Sequence, residues 1–219
     1  MKKIWQLHKL YFVVYLIFVV LSAYILTQYN KTEIHLYFNS FYSEMADLFF
    51  QYLTYVGDGI TIALITSLSL FFSLRIALQI GLTGIISGAI AQILKKVVFG
   101  PTPRPSKYFS DLDIPLRYVE GVELHTAFSF PSGHTTAVFA LTTSILLLLP
   151  QKKYDISLIL IALLTGFSRI YLSQHFLSDV LLGSFIGILT ALLVHSFIFS
   201  DKQLANKKLD NPLINLSKK

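Results

Sequence analysis
Residues Ser168–Phe199 read SRIYLSQHFLSDVLLGSFIGILTALLVHSFIF, and the second part of this stretch decides the class of fold. From Leu177 to Phe199 the one formally charged residue is Asp179, at the very start; apart from His195 the rest is Leu, Ile, Phe, Val and small residues. A helix needs about 20 mainly apolar residues to cross roughly 30 Å of hydrocarbon, so this run reads as a membrane span with a charged mouth. Five further runs have the same character: Leu10–Gln28, Ala46–Leu74, Ala77–Phe99, Ser132–Leu149 and Ile156–Leu172. The pattern predicts an all-α, polytopic membrane protein with six transmembrane helices in a bundle. Gly57-Asp58-Gly59 interrupts the second run, so its first part is expected at the interface. The third carries Gly81, Gly84, Gly88, Ala89 and Ala91, small residues that let helices approach closely.

Composition agrees. Of 219 residues, 54% are apolar and 14% charged, against about 45–50% and a quarter in soluble domains. The 18 Phe and 12 Tyr exclude a disordered chain, and the absence of Cys excludes a disulfide scaffold. The expected organisation is a cytoplasmic N-terminus at residues 1–9, a membrane domain at 10–199 and a cytoplasmic tail at 200–219, solvated and loosely ordered. The first span, near 19 residues, exceeds the usual signal-peptide core and reads as a retained anchor.

Orientation follows the basic residues. With a cytoplasmic N-terminus, Lys2, Lys3, Lys9, Arg75, Lys152, Lys153, Lys202, Lys207, Lys208, Lys218 and Lys219 share the inner side, eleven of the eighteen. Both termini are therefore expected in the cytoplasm, in a cytoplasmic (inner) membrane. The net charge of +6 faces anionic lipid and does not indicate nucleic acid.

The costly residues are not scattered. Lys95 and Lys96 end the third span and Arg104 follows; Pro131-Ser132-Gly133-His134 opens the fourth; Ser168-Arg169 ends the fifth; His175 and Asp179 open the sixth. By parity these ends all lie on the outer, extracytoplasmic face. Cations without a matching acid cluster suit a multiply charged anion, and Arg suits phosphate. Ser132 is a good N-cap, and the amides of Gly133 and His134 would present a helix N-terminus to an anion. His175 and Asp179, four apart, can hydrogen-bond on one helix face, leaving one ring nitrogen free as a nucleophile. His134 could then act as general acid, with Lys96, Arg104 and Arg169 neutralising the phosphoryl oxygens. No Cys, HExxH or carboxylate cluster on that face offers metal ligation, so the expectation is metal-independent chemistry without a cofactor.

These residues resemble the type-2 phosphatidic acid phosphatase family of membrane lipid phosphatases, whose soluble relatives include bacterial acid phosphatases and vanadium haloperoxidases. The family pattern is Lys, six residues, Arg-Pro; then Pro-Ser-Gly-His; then Ser-Arg, five residues, His, three residues, Asp. The second part stands as Pro131-Ser132-Gly133-His134, and the third as Ser168-Arg169, His175 and Asp179 without departure. The first part departs: seven residues separate Lys96 from Arg104, and eight separate Lys95 from it. Lys96 is preferred for its closer spacing. The resemblance implies that His175 attacks phosphorus and forms a phosphohistidine, that Asp179 orients it and that His134 protonates the leaving group. It assigns Lys96, Arg104, Ser132, Gly133 and Arg169 to phosphate.

The implied substrate is a lipid phosphate within the membrane: undecaprenyl diphosphate, phosphatidylglycerol phosphate, phosphatidic acid or a lipid A phosphate. The alternatives are a phosphotransferase using the same intermediate, or a non-enzymatic transporter or scaffold. His8, His35 and His195 read as packing or interfacial residues, and His125 as a loop residue. Asp58 reads as a cap or a partner for a cation, and Phe49–Tyr55 as an interfacial aromatic belt.

Overall fold
The computed structural model describes residues 2–200 and 207–213, and no strand occurs among them. Helix α1 (Lys2–Leu7) leads through His8 into α2 (Lys9–Gln28). A short α3 (Lys31–Asn39) follows, started by a reciprocal cap: Asn30 Oδ1 accepts from the Glu33 amide and Glu33 Oε2 from the Asn30 amide, both at 3.0 Å. Helix α4 (Glu44–Leu53) passes through a 3₁₀ turn (Thr54–Gly57) into α5 (Gly59–Ser69), bent from it by 55°. Then come α6 (Leu74–Ile93), which ends in a π turn (Leu94–Val98), α7 (Pro105–Ser110), α8 (Gly133–Leu148), α9 (Asp155–Tyr171) and α10 (Leu177–Ser200).

Four segments are long and apolar enough to cross a membrane: Lys9–Gln28, Leu74–Val98, Lys152–Tyr171 and Leu177–Phe199. The bent α4–α5 pair makes a fifth if its two parts count as one. The expected fourth span, α8, is apolar but has 16 residues, about 24 Å of helix. It lies inside the bundle. It packs against α10, α6 and α9, and Val138, Phe139, Ala140, Leu141 and Leu146 are buried. A helix sheathed in protein need not match the bilayer thickness by itself. By contrast, Leu16, Ile17, Val20 and Leu21 of α2 are more than half exposed and form an apolar outer face.

Lipid tails are as apolar as leucine, so close packing and polar contacts decide how such helices associate. Tyr11 Oη lies 2.9 Å from Thr143 Oγ1 and 3.2 Å from Thr142 Oγ1, tying α2 to α8. Gln79 of α6 donates to the Ala191 carbonyl at 3.2 Å and to Ser144 Oγ at 3.4 Å. Such interhelical bonds are worth about 0.6 kcal/mol each on average. The α8–α10 contact is closer still, backbone to backbone. A Cβ at Gly187 would stand 2.5 Å from the Thr136 carbonyl oxygen, and one at Gly183 would stand 2.7 Å from that of Ser132.

Two expectations change at the other end of the bundle. His8 is not merely packed: its Nδ1 lies 2.8 Å from Asp155 Oδ1 and its Nε2 lies 3.1 Å from the Leu149 carbonyl, joining α2 to the start of α9. The tail is not wholly loose either. Arg75 Nε donates to Asp210 Oδ1 at 2.6 Å, the Leu74 amide to the Asn211 carbonyl at 3.1 Å and the Leu213 amide to the Leu70 carbonyl at 3.0 Å. Residues 207–213 thus dock on the α5–α6 turn; residues 201–206 and 214–219 of the expected tail lie outside the described residues.

Gly187→Ala is expected to destabilise the bundle by about 1–3 kcal/mol through overpacking. Gly88→Ala, where an added Cβ meets nothing within 4 Å, should be neutral or slightly stabilising. Thermal unfolding midpoints of the two variants in detergent check the pair.

Candidate active site
The segment between α9 and α10 fixes the spacing of three of the expected residues. At the end of α9 the amides of Gln174 and His175 both donate to the carbonyl of Arg169, at 2.9 and 3.0 Å. Ser173 adopts a left-handed backbone (φ 52°) to close that turn, an uncommon state for a residue other than glycine. It is held there by contacts from α3: His35 Nε2 lies 3.1 Å from Ser173 Oγ, and Asn39 Nδ2 donates to it at 3.4 Å. Burial pushes the His35 imidazole down to about 4, so it stays neutral; like His8 it is not merely packed, since it bonds to Ser173. The five-residue gap from Arg169 to His175 is therefore a capped helix end.

Asp179 then begins α10 and does two jobs. Its Oδ2 accepts from the Phe176 amide at 3.0 Å, which caps the helix, and from His175 Nδ1 at 3.2 Å. Ser129 Oγ donates to the same oxygen at 2.5 Å, and Ser178 Oγ donates to Oδ1 at 3.1 Å. A carboxylate receiving Nδ1–H leaves the His175 Nε2 lone pair free. Burial pushes His175 down to about 3 against the upward pull of its bond to Asp179. The ring is neutral at ordinary pH, the form in which it can attack.

The mouth of α8 is pinned to this assembly. The Ser132 amide donates to the Asp179 carbonyl at 3.0 Å. Ser132 Oγ accepts from the Thr135 amide at 3.3 Å and from Thr135 Oγ1 at 2.8 Å. Both its lone pairs are used, and its own O–H remains to donate. Gly133 begins the helix beside Lys95, whose Nζ stands 4.0 Å from where a side chain at Gly133 would start. Arg104 is held by three bonds: Nε to the Ala127 carbonyl at 3.0 Å, and Nη1 to the Gln174 side-chain oxygen at 3.0 Å and its carbonyl at 3.3 Å. Burial lowers its pKa, opposed by the charge of Asp179. Arg169 Nη1 donates to Thr54 Oγ1 at 2.5 Å, while its buried Nε has no partner among the described residues. His134 feels Arg169, His175, Arg104 and Lys95 electrostatically. Its Nε2 lies 4.0 Å from Asp58 Oδ2.

The structure thus gathers His134, His175, Asp179, Ser132, Gly133, Arg104 and Arg169 at one set of helix ends. Lys96 is the exception. Its side chain is exposed, whereas Lys95 is buried, 7% exposed, and faces Arg104, Asp179 and Arg169. The buried stripe Thr83, Ser87, Ala91 on α6 advances by four and lands on Lys95. The π turn then widens the helix end: the Phe99 amide bonds to the Leu94 carbonyl, five residues back, at 2.9 Å. Gly100, at φ 69°, turns the chain towards Arg104. The extra residues between Lys95 and Arg104 are taken up in this way, which linear counting could not show.

Several participants carried no sequence signal. Gln174 clamps Arg104 and donates to the Glu123 carbonyl at 2.9 Å; its one clue was standing next to His175. Ser129 and Thr54 fall outside every motif. His125 is exposed and offers its carbonyl to Ser106 Oγ at 2.8 Å, a loop role. His195 stacks on Phe199, with ring centroids 4.2 Å apart. Among the described residues no group of three or more His, Asp or Glu is placed to hold a metal ion.

A family model described as the PAP2 superfamily matches residues 72–203, more than half of the chain, and the chain belongs to that family. It is 38% identical over 125 residues to the undecaprenyl-diphosphatase BcrC of Bacillus subtilis, covering 57% of this chain and 58% of that protein. It is 30% identical over 187 residues to an undecaprenyl-diphosphatase of Sulfolobus acidocaldarius, covering 81% and 85%. The crystal structure of Aquifex aeolicus LpxE superposes with a TM-score of 0.64 at 26% identity, covering 74% of this chain and 93% of that one.

Lys95→Met is expected to weaken binding of inorganic phosphate about tenfold or more, the scale of one lost charge-assisted bond. Lys96→Met should change it less than about twofold, as for a surface charge. Phosphate protection against thermal unfolding, titrated for both variants, measures the difference.

Proposed function
We propose that the protein is a membrane lipid phosphatase acting through a phosphohistidine. The observation that carries this is the juxtaposition of a neutral His175, oriented by Asp179, with Lys95, Arg104, Arg169 and the N-terminus of α8. In the first step His175 Nε2 attacks phosphorus and the bond to the leaving oxygen breaks, with the His134 proton passing to that oxygen. Lys95, Arg104, Arg169, Ser132 and the amides beginning α8 stabilise the equatorial oxygens. In the second step His134 takes a proton from water, hydroxide displaces Nε2 from phosphorus, and inorganic phosphate leaves. Lys95 takes the place first given to Lys96. The donors present are cations, hydroxyls and amides, which suit this route without a metal.

The substrate we propose is a lipid diphosphate or phosphomonoester whose tail stays in the bilayer. Undecaprenyl diphosphate comes first because two relatives bear that activity in their names. Six crossings follow if α4–α5 is one broken span and α8 another. That count and the basic inner loops support cytoplasmic termini and a site on the outer face of the cytoplasmic membrane.

Purified protein with a chelator present is expected to release phosphate from undecaprenyl diphosphate, phosphatidylglycerol phosphate, phosphatidic acid or lipid A. A phosphoenzyme, stable to alkali and labile to acid, should be trapped from the wild type and absent from His175→Ala. Activity that needs added magnesium would refute the metal-free route. Phosphate transfer only when a lipid or sugar acceptor is supplied would make the protein a transferase.

A further inference from the structure
The break between α4 and α5 lies outside the segment that matches the family model, yet it touches the site at three points. Thr54 Oγ1, buried, accepts from Arg169 Nη1 at 2.5 Å. Gly57 lies so close to α8 that a Cβ there would meet the His134 carbonyl oxygen at 2.6 Å and His134 Cβ at 3.1 Å. Asp58 Oδ1 accepts from the Ile60 amide at 2.9 Å, which starts α5, and its Oδ2 stands 4.0 Å from His134 Nε2. The bend is built around His134 and Arg169.

The charge balance gives this contact a purpose. The groups facing His134 are Arg169 from α9, Arg104 from the loop after α6, Lys95 from the π turn, and His175 from the α9–α10 connection. Burial opposes a positive charge on the imidazole, and three of these groups are cations that oppose it further. A general acid must nevertheless hold a proton before it can give one. Asp58 is the carboxylate at ion-pair distance, and an opposite charge within about 4–6 Å favours the charged form of its neighbour. Both side chains are about one-third exposed, so water can reload the proton between turnovers.

We infer that Asp58 is a positioning residue for the reaction: it holds the His134 imidazolium in a cation-filled site, and the α4–α5 break exists to deliver it. The inference rests on the phosphatase reading. Asp58 itself exchanges no proton with substrate. It acts through His134, which gives its proton to the leaving oxygen and recovers one from the attacking water.

Asp58→Asn isolates the charge, because asparagine caps a helix as well as aspartate. The experiment is the pH dependence of kcat on a saturating lipid phosphate for wild type, Asp58→Asn, Asp58→Glu and His175→Ala. A general acid is lost as pH rises through its pKa, so removing the carboxylate should move the alkaline limb to lower pH, by about one unit. At pH 8 kcat should fall about tenfold, with KM within about twofold, and Asp58→Glu should restore most of the rate. The position of the limb does not depend on the fraction folded, so lower stability would not mask it. An alkaline limb that stays in place, or an equal loss at every pH, overturns the inference while active wild type and inactive His175→Ala leave the phosphatase standing. Wild type silent on every lipid phosphate overturns both.

Discussion

The structure depends most on Asp179, a single carboxylate at the start of α10. Its side chain caps that helix, orients His175 and accepts a hydrogen bond from the Ser129 hydroxyl, while its carbonyl accepts from the amide of Ser132 at the start of α8. Two separate stretches of chain thereby meet at one residue that is 2% exposed. Burying a carboxylate is costly unless its oxygens are satisfied, and here four donors converge on two oxygens. The same bonds that make the charge tolerable set the direction of the His175 ring. Orientation and stability are not separable at this point in the fold.

Around that anchor stands an excess of positive charge, which would be unfavourable in an empty, partly buried site. Lys95, Arg104 and Arg169 are held by other means: Arg104 by carbonyls and Gln174, Arg169 by Thr54, and Lys95 by the buried stripe of α6. Such a site is preorganised for an anion, because its donors need little rearrangement when charge arrives. The α8 N-terminus adds its own partial positive charge. Gly183 and Gly187 permit this by letting α10 lie directly on α8, which brings the ends of the two helices, and so Ser132 and Asp179, within a hydrogen bond. The packing in the middle of the bundle is what aligns the chemistry at its end.

The break between α4 and α5 shows how a local signal can be read only in part. Gly57-Asp58-Gly59 announced an interruption, and a cap was visible in Asp58. Neither the 55° bend nor the partners it reaches could be inferred, because His134 lies 76 positions further along and Thr54 meets Arg169 across 115. Lys95 is a similar case. The helical stripe that selects it was present in the sequence, but counting to Arg104 favoured Lys96, since the π turn and the left-handed Gly100 absorb residues without advancing the chain. The expectation for the tail rests on its place at a chain terminus, and its docking on α5–α6 uses the Arg75–Asp210 ion pair and backbone groups that have no sequence signature.

By itself the sequence determined that the chain is helical and apolar enough for a bilayer, and where its long apolar runs lie. It also determined which histidines share a helix end with arginines and a carboxylate. These follow from composition, from the order in which apolar runs alternate across a bilayer, and, for His175 and Asp179, from a spacing of four, where helix geometry relates the side chains. Tertiary structure decided which lysine turns inward, which serine and glutamine steady the charged groups, how short α8 can be, and what Asp58 faces. Those outcomes depend on contacts between residues far apart in the chain, set by how closely the helices pack, and no local periodicity encodes that distance.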